Sequence, residues 1–144
     1  MAVPFSSLIP GLLPRRQKHY LMSGFPESKG KPNPIAREVA PTAYTYWGIS
    51  IDDSKYSEHG REAETHVILH FDRENIEGPD GIVRAFPYPG GMSGSPMWMF
   101  FDENGRNDAD RMPLVAVATR YHQKPGLFVA TDIGIAISLM HEAV

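Results

Sequence analysis

The sequence predicts an all-β, antiparallel fold that closes on one α-helix. Two observations carry this. Thirteen Gly and thirteen Pro are spread through a 144-residue chain rich in aromatic and β-branched residues, a composition that favours many short strands joined by turns. Apolar residues also alternate or run in short stretches bounded by turn residues, and take helical spacing only near the C-terminus. With 42% apolar residues the chain is long enough for one domain with a core and too short for two.

Residues 1–17 contain turn residues without periodicity and read as a linker or docking arm, with the domain running from 18 to 144. A first strand is expected from Lys18 to Phe25, ended by Gly24-Phe25-Pro26. Pro26 to Pro41 reads as a long surface loop in which Pro32 and Pro34 bar a helix. Thr42 to Ile51 is aromatic and β-branched, hence a second strand, and the polar stretch Asp52 to Glu64 is the next connection. In His66 to Asp72, alternation places Val67, Leu69 and Phe71 on one face and His66, His70 and Asp72 on the other, a third strand. Gly81 to Phe86 is expected as a fourth strand, Pro96 to Phe101 as a fifth and Pro113 to Tyr121 as a sixth, with Leu127 to Ala130 a further short piece. Asn104-Gly105 signals a tight hairpin between the fifth and sixth, and Lys124-Pro125-Gly126 the turn after them. Thr131 or Asp132 serves as N-cap for a final helix carrying Ile133, Ala136, Ile137 and Met140 on one side.

Several function classes are disfavoured by composition. A net charge of −3 with mixed signs along the chain offers no basic face to nucleic acid and no polybasic segment to anionic lipid. With no cysteine there is neither a disulfide framework nor a thiolate metal site, which suits a reducing cytoplasm. The apolar start is broken by Pro4, Pro10 and Pro14 and places Arg15 and Arg16 after the apolar part, the reverse of a signal peptide. No later stretch reaches the ~18 apolar residues of a membrane span, so a soluble protein is expected.

Chemistry is concentrated in Pro87-Tyr88-Pro89-Gly90-Gly91-Met92-Ser93-Gly94-Ser95-Pro96, between two expected strands. Its glycines permit a tight turn that gathers backbone N–H groups around one space. Acyl transfer needs this: a serine hydroxyl attacks a carbonyl and preorganised donors meet the developing oxyanion, here the N–H groups of Ser93 and Gly91. Gly91 to Pro96 is similar to the Gly-x-Ser-Gly-(Gly or Ser)-Pro signature of trypsin-like serine peptidases. Gly24-Phe25-Pro26 resembles the Gly-Tyr/Phe-Pro that opens their second barrel. The strands and turn after the motif, with a closing helix over Ile133 to Glu142, extend the likeness to residues 18–144.

The resemblance implies a six-stranded Greek-key β-barrel, the second half of a chymotrypsin-like fold, with a C-terminal helix. It implies Ser93 as nucleophile, Gly91 with Ser93 as oxyanion hole, and a specificity pocket walled by Pro87 and by Ala118, Thr119 and Arg120, up to Tyr121. The reaction implied is peptide-bond hydrolysis through an acyl-enzyme on a peptide or protein substrate, without cofactor. The chain departs from the family in lacking the N-terminal barrel that supplies the histidine and aspartate. That barrel takes ~100 residues, and none of His19, His59, His66 and His70 has the expected Thr-Ala-x-His flank. The chain therefore reads as the C-terminal portion of such a peptidase, completed by a missing barrel in cis or in trans. The alternative is a non-catalytic β-barrel module that binds an extended peptide or a protein partner.

Other residue clusters read as structural. His66 and His70 stand ~13 Å apart on a strand and cannot share one ion. Asp102 to Asp110 has the carboxylates of a calcium loop, but Arg106 falls where an oxygen ligand is needed, so a solvated hairpin is expected. Trp47, Trp98, Phe100, Phe101 and Tyr121 are expected in the core and rim, and Met92, Met97 and Met99 as gap-filling core.

Overall fold

In the computed structural model of the chain, which describes residues 19–27, 42–77, 80–100 and 112–143, eight strands precede one helix. They are β1 (His19–Gly24), β2 (Tyr44–Ile49), β3 (His66–His70), β4 (Ile76–Glu77), β5 (Val83–Arg84), β6 (Pro96–Phe100), β7 (Leu114–His122) and β8 (Leu127–Asp132), followed by α1 (Ile133–Glu142). Six of them form one antiparallel sheet in the order β2-β1-β6-β7-β8-β3, and β4 and β5 make a separate two-residue hairpin. The large sheet curls until its two outer strands touch at a Ser50↔Leu69 bridge, where the Ile51 N–H donates to the Ile68 carbonyl at 2.9 Å.

Period-2 alternation explains which side faces in. Tyr20 and Met22 of β1, Met97 and Met99 of β6, and Val67 and Leu69 of β3 are buried in one cluster with Phe128 and Ala130 of β8. Phe71, just past β3, is the hub. Its ring meets Tyr46, Phe86, Tyr121 and Phe128 with centroids 4.5 to 5.6 Å away. All four contacts are edge-on, the arrangement ring quadrupoles favour, worth about 0.5–1.5 kcal/mol per pair beyond the area buried.

Four expectations need correction. Gly81 to Phe86 is not a strand of the main sheet: only Val83–Arg84 is extended, pairing locally with Ile76–Glu77, while Ile82 and Val83 face solvent. The sixth main strand is Leu127–Asp132, because Phe128 and Ala130 complete the inner face that Ile82 and Val83 do not. The outer side of β3 is not uniformly wet. Ile68 is fully buried there with Leu127 and Val129 beneath Tyr56, which arrives from two 3₁₀ turns, Asp53–Lys55 and Ser57–His59. The Tyr56 hydroxyl accepts from the Ile68 N–H at 3.0 Å, satisfying a strand-edge donor that the single bridge leaves over. The last two corrections concern outward side chains. Met140 is 63% exposed, and α1 buries only Ile133 where it packs on β7 and β8. Trp47, expected in the core or rim, is 60% exposed and stacks on His19 at 5.5 Å.

Residues 1–17, most of the loop up to Pro41, the Asn104-Gly105 hairpin and the Asp102 to Asp110 segment lie outside the described residues. The Lys124-Pro125-Gly126 turn is present, with Gly126 at φ 85° and so close to β3 that a Cβ there would stand 2.7 Å from the Phe71 carbonyl oxygen. Asp132 is the N-cap of α1, accepting from the Gly134 N–H at 2.7 Å.

Burial pushes the Tyr46 hydroxyl up to about 12, and the Asp72 carboxylate acts in the same direction. The folded chain therefore keeps this proton between pH 10 and 12, where the unfolded chain has lost it. Stability from the neutral phenol is complete below about pH 10 and is lost as pH rises through the folded value. Tyr46→Phe removes the 2.6 Å bond to the His70 carbonyl and is expected to lower stability at pH 7 by about 1–2 kcal/mol. In denaturant titrations it should also flatten the alkaline fall in stability relative to wild type. An identical alkaline limb in both proteins would assign that fall to other groups.

Candidate functional site

The motif is two consecutive turns sharing Met92. The Met92 N–H donates to the Pro89 carbonyl and the Ser95 N–H to the Met92 carbonyl, both at 3.1 Å. Gly91 and Gly94 occupy the third position of each turn with φ 84° and 89°, the positive φ that a type II turn requires of glycine. Met92 is 1% exposed, its side chain held in the core, whereas Ser93 is exposed. Glycine spacing and one buried methionine thus decide that the serine points outward.

The turns are pinned from two sides. The Gly94 N–H donates to the Ala118 carbonyl at 2.7 Å and the Ala118 N–H to the Ser95 carbonyl at 2.8 Å, fixing the start of β6 against the middle of β7. On the other side the Glu27 N–H donates to the Gly90 carbonyl at 2.7 Å. Gly24 lets β1 come this close, since a Cβ there would overlap the Ser95 hydroxyl and stand 3.1 Å from the Met92 methyl.

Next to Ala118, β7 carries a bulge. Ala118 pairs with Ala130 and Arg120 with Val129, so Thr119 is the extra residue. Thr119 turns its hydroxyl to the Val129 carbonyl at 3.1 Å, and its own carbonyl accepts from the Ser93 Oγ at 3.3 Å. Among the described residues that carbonyl is the one hydrogen-bond partner of the Ser93 hydroxyl. Neither the Gly91 nor the Ser93 N–H has a protein acceptor among the described residues.

Of the residues expected to wall a pocket, Pro87 is half-buried, and Thr119 and Arg120 are exposed on β7. Ala118 is 2% exposed and has both its backbone groups committed to the motif. Beside them Tyr88, which is 48% exposed, makes an edge-on contact at 6.1 Å with the half-buried Tyr121. Sequence reasoning reached Ser93, Gly91 and the Gly24-Phe25-Pro26 stop but missed the parts of Glu27 and Tyr88. No local signal marks Glu27, which acts through its backbone N–H, whereas Tyr88 is set off by its place between two prolines.

The strand-face cluster has separate roles. The His66 Nδ1 is 2.8 Å from the Thr65 hydroxyl. Asp72 closes its own turn, accepting from the Glu74 N–H at 3.1 Å and the Asn75 amide at 2.8 Å, and these bonds hold its carboxyl below the usual range. Among the described residues no three His, Cys, Asp or Glu side chains gather to hold a metal ion. Comparison with known proteins brings no match: no protein-family profile, curated protein or solved structure aligns with this chain.

The contact at Gly24 predicts that Gly24→Ala lowers unfolding free energy by about 1–3 kcal/mol. Adding Ser95→Gly, which deletes the overlapped hydroxyl, should recover part of that loss in a double-mutant cycle. Strict additivity would place the strain elsewhere.

Proposed function

We propose that this chain is the nucleophile-bearing barrel of a trypsin-like serine peptidase, with Ser93 as nucleophile and the Gly91 and Ser93 N–H groups as oxyanion donors. The observation that carries the reading is the motif's geometry. An exposed serine stands at the head of β6 between two left-handed glycines, beside two backbone donors with no protein acceptor among the described residues. The strand order supports it. The spatial sequence β6-β1-β2-β3, with the fourth strand returning beside the first, is the order of a Greek key. In this reading the curled sheet, continued through β8 and β7, corresponds to one barrel of the family.

In this reading the chain supplies nucleophile, oxyanion hole and specificity walls, and a second barrel supplies the histidine and aspartate. Without that base the Ser93 hydroxyl is a weak nucleophile at neutral pH. The Tyr88–Tyr121 pair and the absence of a carboxylate at Pro87 favour an apolar side chain in the pocket. The second reading, a non-catalytic module for an extended peptide or partner, draws on one observation. On the outward face of β2, β1 and β6, Trp47, Leu21 and Trp98 stand in register, with Trp47 and Ile49 60% and 48% exposed.

A fluorophosphonate probe separates the two. An oxyanion hole and substrate binding without a complete triad still leave about 10³–10⁴-fold catalysis over water. The full chain should therefore be labelled slowly at Ser93, in preference to exposed serines such as Ser57, and imidazole in solution should accelerate labelling by replacing the missing base. Ser93→Ala should abolish it. Indiscriminate labelling that imidazole leaves unchanged would overturn the peptidase reading and favour the binding module.

A further inference from the structure

We infer that the main chain of Glu27 is the positioning element that aims the Gly91 N–H, an inference that rests on the oxyanion reading above. In a trans peptide the C=O of one residue and the N–H of the next point to opposite sides of the bond between them. The Gly90–Gly91 peptide is trans, Lys124–Pro125 being the cis bond of the described chain. Because the Gly90 carbonyl is held by the Glu27 N–H at 2.7 Å, the Gly91 N–H must point away from Glu27.

The same logic governs the second donor. The Met92 carbonyl is held by the Ser95 N–H at 3.1 Å, so the Ser93 N–H of that peptide is directed away from Ser95. Both donors are thus the reverse sides of locked carbonyls, but the locks differ in origin. Ser95 belongs to the motif's own turn, whereas Glu27 comes from the extension of β1, more than sixty positions earlier in the chain. Without the Glu27 bond the Gly90–Gly91 peptide could rotate and present a carbonyl oxygen where a donor is needed, and glycines on both sides of the bond would resist that little.

Packing fits this role. A Cβ on Gly91 would stand 2.9 Å from the Glu27 Cβ and 3.1 Å from the Glu27 nitrogen, so glycine at 91 is required both by its φ of 84° and by the closeness of the lock. The Glu27 side chain itself is exposed. The inference concerns the N–H, which any residue except proline supplies at position 27.

The test uses the isotope-labelled full chain. In wild type, a through-hydrogen-bond scalar coupling should connect the Glu27 nitrogen to the Gly90 carbonyl carbon, and the Gly91 N–H residual dipolar coupling should fit the orientation described. Glu27→Ala, which keeps the N–H, should preserve both. Glu27→Pro should abolish the first and shift the Gly91 value, while the Met97 and Met99 amides keep theirs as a control for folding. Labelling at Ser93 should fall about a hundredfold in Glu27→Pro and be restored in Glu27→Ala. Absence of the wild-type coupling, or an unchanged Gly91 orientation in folded Glu27→Pro, would overturn the inference even if Ser93 reacts. If Ser93 fails to react in wild type while the couplings behave as stated, the peptidase reading falls and the positioning stands.

Discussion

Two short backbone hydrogen bonds, Gly94 to Ala118 and Ala118 to Ser95, hold the serine turn against the middle of β7, and most of the site depends on them. They begin the β6–β7 ladder, so the turn is continuous with the sheet and is not a loop laid over it. The β7 bulge follows at once, freeing the Thr119 carbonyl to meet the Ser93 hydroxyl. A bulge at this point increases local twist and re-aims the strand, which brings Tyr121 round to both Tyr88 and Phe71. One pairing thus fixes the serine, the bulge and the aromatic wall together.

The core beneath is adaptable in its parts and specific in its centre. Met22, Met92, Met97 and Met99 are all fully or almost fully buried, and their unbranched side chains fill irregular space between strands. Uniqueness comes instead from the rings around Phe71, whose edge-on contacts reach residues on β2 and β8, on β7 beside the bulge, and on the segment leading to the motif. Phe86, the last of these, is tied to Arg73 through its carbonyl at 2.8 Å and its N–H at 2.7 Å. The approach to the serine turn is therefore anchored in the core before the first glycine is reached.

Preorganisation here belongs to the main chain. The donors around Ser93 are aimed by carbonyls bonded on their far sides, and the glycines serve by permitting the required φ and close approach. In the reading proposed above, such donors are set before any ligand arrives, as oxyanion stabilisation requires. Among the described residues the Ser93 hydroxyl bonds to the Thr119 carbonyl alone.

The sequence by itself determined the elements whose signals are local. The strands over His19–Gly24 and His66–His70, the Asp132 cap and the glycine spacing around Ser93 each follow from a few neighbouring residues and appear where they were expected. Tertiary structure alone decided which extended segment would join the sheet. Val83–Arg84 pairs only with Ile76–Glu77 and leaves Val83 exposed, whereas Leu127–Asp132 lies between β7 and β3 and turns Phe128 onto Phe71. It also decided that Ile68 would be covered, because Tyr56 reaches it from twelve residues away. The roles of Glu27 and Thr119 were invisible for the same reason. Each acts through a backbone group, which every sequence carries at every position, and only the folded chain selects which of those groups come to face the serine.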